Sequence, residues 1–309
     1  MNASLFSGYK SPSEIENPNV LLNCGYRLSG LATTAECEAV KSNLDVDPFR
    51  RFSTLYKVDF KLYADNARLA NTKVKQNKPE ELPLEADVQL FRDFCVREIT
   101  NLTQKFTSSL PSGPEYRSLC KLILGRSLTF NARRGAECSK LTLDDWSGVI
   151  SGRWKSSREL ELLSDPVEKA LAKRLEICYV KGKGKASSAK SPLVPILFTQ
   201  DVVKGINVLL KHRALFIQSS NQLVLATGGD KAYGGWDTLQ SITKRIPELE
   251  MPRLITPTRA RKFLATMLQL MDLNDGEMNW VTSHMGHTKD VHFAWYRKVS
   301  TSFFIDRFI

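Results

Sequence analysis

From Glu85 onward the apolar positions fall into recognisable periods. Val88, Leu90, Phe91, Phe94, Cys95 and Ile99 recur at helical spacing and predict a helix that Glu98–Lys105 continues. The run SSLPSGP at 108–114 breaks it, and Glu115–Phe130 predicts a second, strongly apolar helix. Two β-rich apolar runs, Leu175–Val180 and Leu193–Phe198, flank the basic loop KGKGKASSAKSP. Asp201–Lys211 is an amphipathic helix by spacing, and Trp236–Arg245 predicts a helix that Pro247 closes. The glycine-rich GGDKAYGG at 228–235 predicts a loop. Upstream the pattern weakens. Residues 1–50 are polar and broken by Gly, Pro and Asn, which predicts an arm or a loosely packed segment. Phe52–Ala70 fits a short helix or a strand pair, and Asn71–Leu82 is a linker by composition.

The richest stretch is Ile255–Lys298. Thr256 is placed as an N-cap, and Pro257 sits at the first helical position, where its missing N–H costs nothing. Phe263, Leu264, Met267, Leu268 and Met271 then define an apolar stripe expected to be buried, with Arg261 at its border. An arginine at a core border is held in one place and can aim its planar fork at a fixed anion. A second short helix is predicted from Asn274, with Glu277 completing a capping box. Met278, Val281 and Met285 form its inner face, and Gly286 ends it. His287 follows, then an N-cap at Thr288 and a last short helix carrying Tyr296.

Charge changes the picture more than length does. Across 309 residues, 44 Lys and Arg against 33 Asp and Glu leave a formal net charge of +11, with a pI near 9.3. That balance favours a polyanionic partner, nucleic acid ahead of an acidic membrane surface. No apolar run approaches the roughly 18 residues that a membrane span requires. The N-terminus lacks the basic flank and apolar core of a signal peptide. Six cysteines (24, 37, 95, 120, 138 and 178) show no CxxC spacing and read as reduced thiols of an intracellular protein.

Motif order supplies the chemistry. Arg134-Gly-Ala-Glu137-Cys-Ser-Lys-Leu141 has an acid one helical turn after an arginine, able to orient the guanidinium from behind while its front faces a phosphate. Alone it is more economically a surface ion pair worth roughly a few tenths of a kcal/mol. Downstream stand Arg261-Lys-Phe-Leu-Ala265-Thr266, then Met285-Gly286-His287-Thr288 with Val291-His292, then Trp295-Tyr296-Arg297. In that order the segments resemble the active site of the tyrosine recombinases (phage-integrase-like), with particular likeness to the eukaryotic Crypton-type recombinases and their domesticated relatives. Only Arg134, not Arg133, puts Glu137 and Leu141 in register with the family's R-x-x-E-x-x-x-L.

The resemblance implies a mixed, mainly α fold with a small antiparallel β-sheet, the DNA breaking-rejoining type. It implies a catalytic domain over 83–309, behind a reduced DNA-clamping region and linker over 1–82. It implies a short strand at Asn221–Ala226 ahead of the second arginine helix. It makes Tyr296 the nucleophile, Arg134 and Arg261 the phosphate clamps and His287 a donor to a nonbridging oxygen. The family's hairpin lysine, the general acid, matches Lys183; Lys181 and Lys185 are adjacent alternatives, and a hairpin that only contacts phosphates is the plainer reading. Thr258 stands where the family has His or Lys; threonine donates one hydrogen bond but carries no charge. Arg259 is the neighbour able to supply that charge. Arg259, Lys262, His284 and Arg297 are the remaining expected DNA contacts, with Lys181 and Lys185.

The expectation is no cofactor and no metal. GGDKAYGG lacks the G-x-x-x-x-G-K-[ST] form of a nucleotide-binding loop. His284, His287 and His292 cluster in sequence, but no cysteine is near, Asp290 is the one carboxylate at ligand spacing, and H-E-x-x-H is absent. The implied partners are double-stranded DNA and further copies of the chain on it, with no membrane and no small-molecule substrate. A nuclear location follows from that substrate in a eukaryotic cell. Two other functions stay open. One is a domesticated DNA-binding protein that keeps the fold and has lost the chemistry, favoured by Thr258, the reduced N-terminal part and the short segment STSFFIDRFI after the tyrosine. The other is a nicking enzyme of the type IB topoisomerase kind.

Overall fold

The computed structural model describes residues 9–11, 14–15, 17–77, 81–155, 170, 173–182, 193–229, 231–269 and 276. The chain divides into two compact units, Met1–Glu80 and Glu81–Ile309. Among the described residues it is mainly α-helical with small antiparallel sheets, and no helix there is long and apolar enough to cross a membrane.

In the first unit a short antiparallel pair, β1 (Tyr9–Ser11) and β2 (Glu14–Ile15), precedes two long helices, α1 (Pro18–Lys41) and α2 (Asp47–Asn77). Asn17 caps α1 by accepting from the N–H of Val20 at 3.3 Å. The helices run antiparallel: Arg50 pairs with Glu36 near one end and Asn71 bonds Asn19 near the other. Between them the Tyr56 hydroxyl donates to the carbonyl of Gly25 at 2.7 Å. A Cβ on Gly25 would fall 2.0 Å from the Phe60 ring, so only glycine lets that ring lie on α1. These helices correct the expectation of a loose arm and an early linker. The seam of α1 is built from Leu21, Gly25, Ala32 and Ala39, correctly spaced but mostly too small to register as an apolar stripe.

The second unit is organised on one helix. α3 (Glu85–Ser108) and α4 (Gly113–Asn131) match the two helices predicted at its start. Ser112 and Glu115 form a capping box at the α4 start. From Leu122 to Leu128 every side chain of α4 is buried, because neighbours cover it on all sides. These neighbours are α3, α7 (Gln200–Lys211), α8 (Gly235–Thr243) and the hairpin of β3 (Glu176–Lys181) with β4 (Leu193–Phe198). Two short helices, α5 (Gly135–Ser139) and α6 (Leu143–Ile150), follow α4, and α9 (Pro257–Gln269) is the last element among the described residues. The hairpin is antiparallel, registered from Glu176 opposite Phe198 to Lys181 opposite Leu193. Asn221–Ala226 is not a strand. It contributes isolated bridges, Leu223 to Thr142 and Ala226 to Ala232. Arg213 accounts for this, donating to the carbonyls of Asn221 and Leu223 that a ladder partner would otherwise take.

Asp87 ties α3 to the approach to α9. Its buried carboxylate accepts from the backbone N–H groups of Glu250 and Met251 at 2.9 and 2.8 Å.

Candidate active site

At the end of α4 the chain turns through Ala132, a non-glycine residue in the left-handed region at φ 48°. That turn gives two adjacent arginines opposite fates. Asn131 and Arg133 point back at β4. Asn131 donates to the Leu197 carbonyl at 2.8 Å and accepts from its N–H at 2.7 Å. Arg133, at 0% exposure, donates to the Pro195 carbonyl from Nε at 3.1 Å and from Nη2 at 2.7 Å. Arg134 swings outward, its side chain 37% exposed, and opens α5 as the N-cap residue.

Glu137 joins the two. It is 5% exposed, accepts from the Arg134 N–H and from Arg134 Nη1, each at 3.3 Å, and lies 3.9 Å from Arg133 Nη1. The acid therefore holds the backbone and back edge of Arg134 and leaves the rest of its fork toward solvent.

The second arginine arrives on α9. Thr256 caps this helix by accepting from the Arg259 N–H at 3.2 Å, and Pro257 is buried at the first position, as the sequence indicates. A Cβ built on Gly135 would stand 3.3 Å from the Gly235 Cα and 3.7 Å from the Pro257 ring, so the starts of α5, α8 and α9 meet there. The expected apolar stripe is not what α9 buries most deeply. Pro257, Arg261 and Ala265, spaced by four, form the buried face with Thr266, while Phe263, Leu264, Met267 and Leu268 are half-buried. Arg261 is 4% exposed, inside that face and not at its border. The small side chain of Ala265 and the proline let the helix approach closely enough to bury the arginine stem.

The arginines sense one another. Burial pulls the Arg133 guanidinium down to about 10; Glu137 and Cys138 oppose that, and Arg261 and Arg134 add to it by repulsion. Arg134 and Arg261, distant in sequence, are thus both within electrostatic reach of one buried group. Arg133 and Asn131 are the residues that sequence reasoning missed. An arginine and an asparagine in a polar-looking turn give no periodic sign of being buried.

Other predicted positions are placed without a shared geometry. Thr258 is exposed in the first turn of α9. Arg259 is half-buried and donates from Nη1 to the Arg253 carbonyl at 3.4 Å, so its charge lies back along the preceding turn. Lys262 is half-buried one residue past Arg261. Lys181 is exposed at the end of β3. Tyr296, His287, Lys183, Lys185, His284 and Arg297 lie outside the described residues. Among the described residues no three His, Cys, Asp or Glu side chains gather as a metal site; the histidine cluster lies beyond them.

Compared with protein-family models and with curated proteins, the sequence matches none. Solved structures similar to the chain include two DNA complexes of the XerH site-specific recombinase. One is the post-cleavage complex with palindromic difH substrate, at 13% identity and TM-score 0.43 over 73% of this chain. The other is the pre-cleavage complex with difH, at 14% identity and TM-score 0.44 over 89% of this chain. The chain spans 53% of the first of those chains and 69% of the second.

Proposed function

We propose that this protein cuts and rejoins DNA through a 3′-phosphotyrosyl intermediate, as a tyrosine recombinase of the kind its motifs resemble. What supports the reading is that the starts of α5 and α9 approach at Gly135 and Pro257, and that Arg134 and Arg261 both lie within electrostatic reach of the buried Arg133 beside Glu137. Glu137 backs Arg134 while leaving part of its fork open, the arrangement expected of an arginine that clamps a phosphate.

In this reaction the Tyr296 oxygen, its proton given up to water, attacks a phosphodiester in line. A P–O bond to tyrosine forms, the P–O5′ bond breaks, and the 5′ oxygen leaves with a proton from Lys183. A phenol has an ordinary pKa of about 10, so its attack at neutral pH needs a strongly positive field. Arg134 and Arg261 supply it, hold the charge that builds on the nonbridging oxygens, and His287 donates to one of them. Attack on the phosphotyrosine by a 5′-hydroxyl of a second strand, whose proton returns to Lys183, frees Tyr296 as a phenolate that takes up a proton from water, and completes exchange. The bond energy stays in the covalent link, so no nucleotide is consumed. Copies of the chain assemble on the DNA, Lys181, Lys185, Arg259, Lys262, His284 and Arg297 contact its backbone, and the element served is a mobile one in a eukaryotic nucleus.

A second reading is favoured by Thr258: the residue in the family's His/Lys position is exposed and uncharged. On that reading the chain binds DNA without cutting it. A duplex nicked near the cleavage site, which loses its short 5′-hydroxyl fragment, separates the two. A covalent adduct with wild type and none with Tyr296→Phe supports the recombinase. No adduct from wild type, with duplex binding intact, supports the second reading.

A further inference from the structure

A second concentration of positive charge lies toward the other end of α4. A cleft of about 230 Å³ opens between the first half of α4 and the end of α8, with Ile242 in its wall. Arg117 and Lys121, one helical turn apart on α4, line one side, and Arg245, just past α8, lines the other. Like charges at this helical spacing repel, and bringing a third cation opposite them adds to the cost.

Of the three cations only Arg245 is paired with an acid among the described residues. Glu98 is engaged by Arg245 at 2.9 Å and by Arg97 at 3.7 Å. Glu115, next along α4, is taken by Lys105 and by Ser112, which hold its carboxyl down at about 2. Arg117 and Lys121 form no ion pair or hydrogen bond with any described residue. Arg245, by contrast, is fixed: Nη1 donates to Ser118 Oγ at 3.0 Å, and its guanidinium lies 5.0 Å above the Phe94 ring. Ser118 accepts that bond and keeps its own O–H to donate. The Arg117 guanidinium, the Lys121 ammonium and the Ser118 hydroxyl, facing an Arg245 already held by Glu98 and Ser118, give one concavity the net positive charge and the donors of an oxyanion site.

The geometry points to this cleft as a phosphate-binding site, separate from the arginines at the far end of α4. Lys121 and Asn131 are separated along the helix by about 15 Å at 1.5 Å per residue, too far for one phosphate to touch both ends. Phosphate fits better than a carboxylate because donors approach from more than one direction, which a tetrahedral group of oxygens can meet and a planar pair of oxygens cannot. Two sources share that chemistry, a nucleic-acid backbone and free inorganic phosphate.

The test uses the full chain, titrated with inorganic phosphate by calorimetry and with a short blunt duplex by anisotropy across a salt series. The variants are Arg117→Gln/Lys121→Gln and, as comparison, Arg134→Ala; circular dichroism and thermal midpoint verify that each is folded. The double variant is expected to weaken phosphate binding by about tenfold or more, the loss of at least one charge-assisted contact. If the duplex is the source, the same variant also lowers the salt slope by about one. An unchanged slope with phosphate binding lost assigns the site to free phosphate. Absence of phosphate binding in wild type together with an unchanged slope overturns the proposal. So does phosphate binding that Arg134→Ala removes and the cleft variant does not. None of these readouts depends on strand cleavage, so failure here leaves the recombinase reading standing, and the reverse.

Discussion

Arg134 donates from Nη1 to Oε1 of Glu137 at 3.3 Å, with the arginine side chain 37% exposed and the acid 5% exposed. The acid also stands 3.9 Å from Arg133, which is fully enclosed. Glu137→Ala therefore leaves a buried guanidinium without its carboxylate, and removing one partner of a buried pair costs roughly 3–5 kcal/mol. Chemical denaturation is the measurement. A loss below about 1 kcal/mol, the range of an exposed pair, would mean that Glu137 is not where the structure puts it.

Adjacent arginines should fail in different ways. Arg133→Ala removes both donors from the Pro195 carbonyl and leaves β4 held to the end of α4 by Asn131 without Arg133, so stability should fall by roughly 2–4 kcal/mol, as for other broken buried networks. Arg134→Ala removes a partly exposed side chain and should move the denaturation midpoint little. On the proposed reaction Arg134→Ala, and equally Arg261→Lys, should lower adduct formation on the nicked duplex by about 10²–10³-fold, the effect of removing a transition-state oxyanion donor. Normal adduct yield from either variant would show that the clamping arginines lie elsewhere.

That contrast also marks where the sequence is legible. Long side chains at helical or strand spacing announce themselves, which is why α3, α4, β3, β4 and the capped start of α9 can be placed from sequence. Small-residue seams do not, so Gly25, Ala32 and Ala39 hid the packing face of α1. The same blindness covers α9, whose deepest contacts run through Pro257, Arg261 and Ala265 and not through the phenylalanine and leucines. Register with the R-x-x-E-x-x-x-L pattern singles out Arg134 over Arg133, and in the structure Arg134 is the exposed one of the two. What register cannot show is that Ala132 turns left-handed and sends the side chains of Asn131 and Arg133 into the sheet.

Thiol chemistry reports on the core. Burial raises the thiols of Cys95, Cys120, Cys138 and Cys178 from 9.0 to about 12, while Cys24 and Cys37 are exposed. A disulfide reagent at neutral pH should label Cys24 and Cys37 quickly and the other four only on unfolding. Because the folded values are raised, these thiols contribute stability that is full below pH 9.0 and lost as pH climbs toward 12. Replacing Cys95 or Cys120 by alanine should flatten that alkaline decline; a decline of unchanged steepness would assign it to other groups.

The junction of α5, α8 and α9 gives the sharpest structural test, because it joins the fold to both arginines. A Cβ on Gly235 would sit 2.5 Å from the Gly135 Cα and 3.0 Å from its carbonyl oxygen, and backbone cannot rotate away as a flexible side chain can. Gly235→Ala must therefore push α8 off the start of α5, at about 1–3 kcal/mol for overpacking. Gly228, where a Cβ would meet nothing within 4 Å, is the control, and Gly228→Ala should leave stability within about 0.5 kcal/mol of wild type. Since Gly135 follows Arg134 directly and also faces Pro257, the same displacement moves the outward arginine relative to Arg261. Gly235→Ala should then lower adduct yield more than its stability loss explains when both proteins are assayed fully folded. Equal adduct yields under those conditions would show that the two arginines act without the close glycine contact, and that the junction serves packing alone.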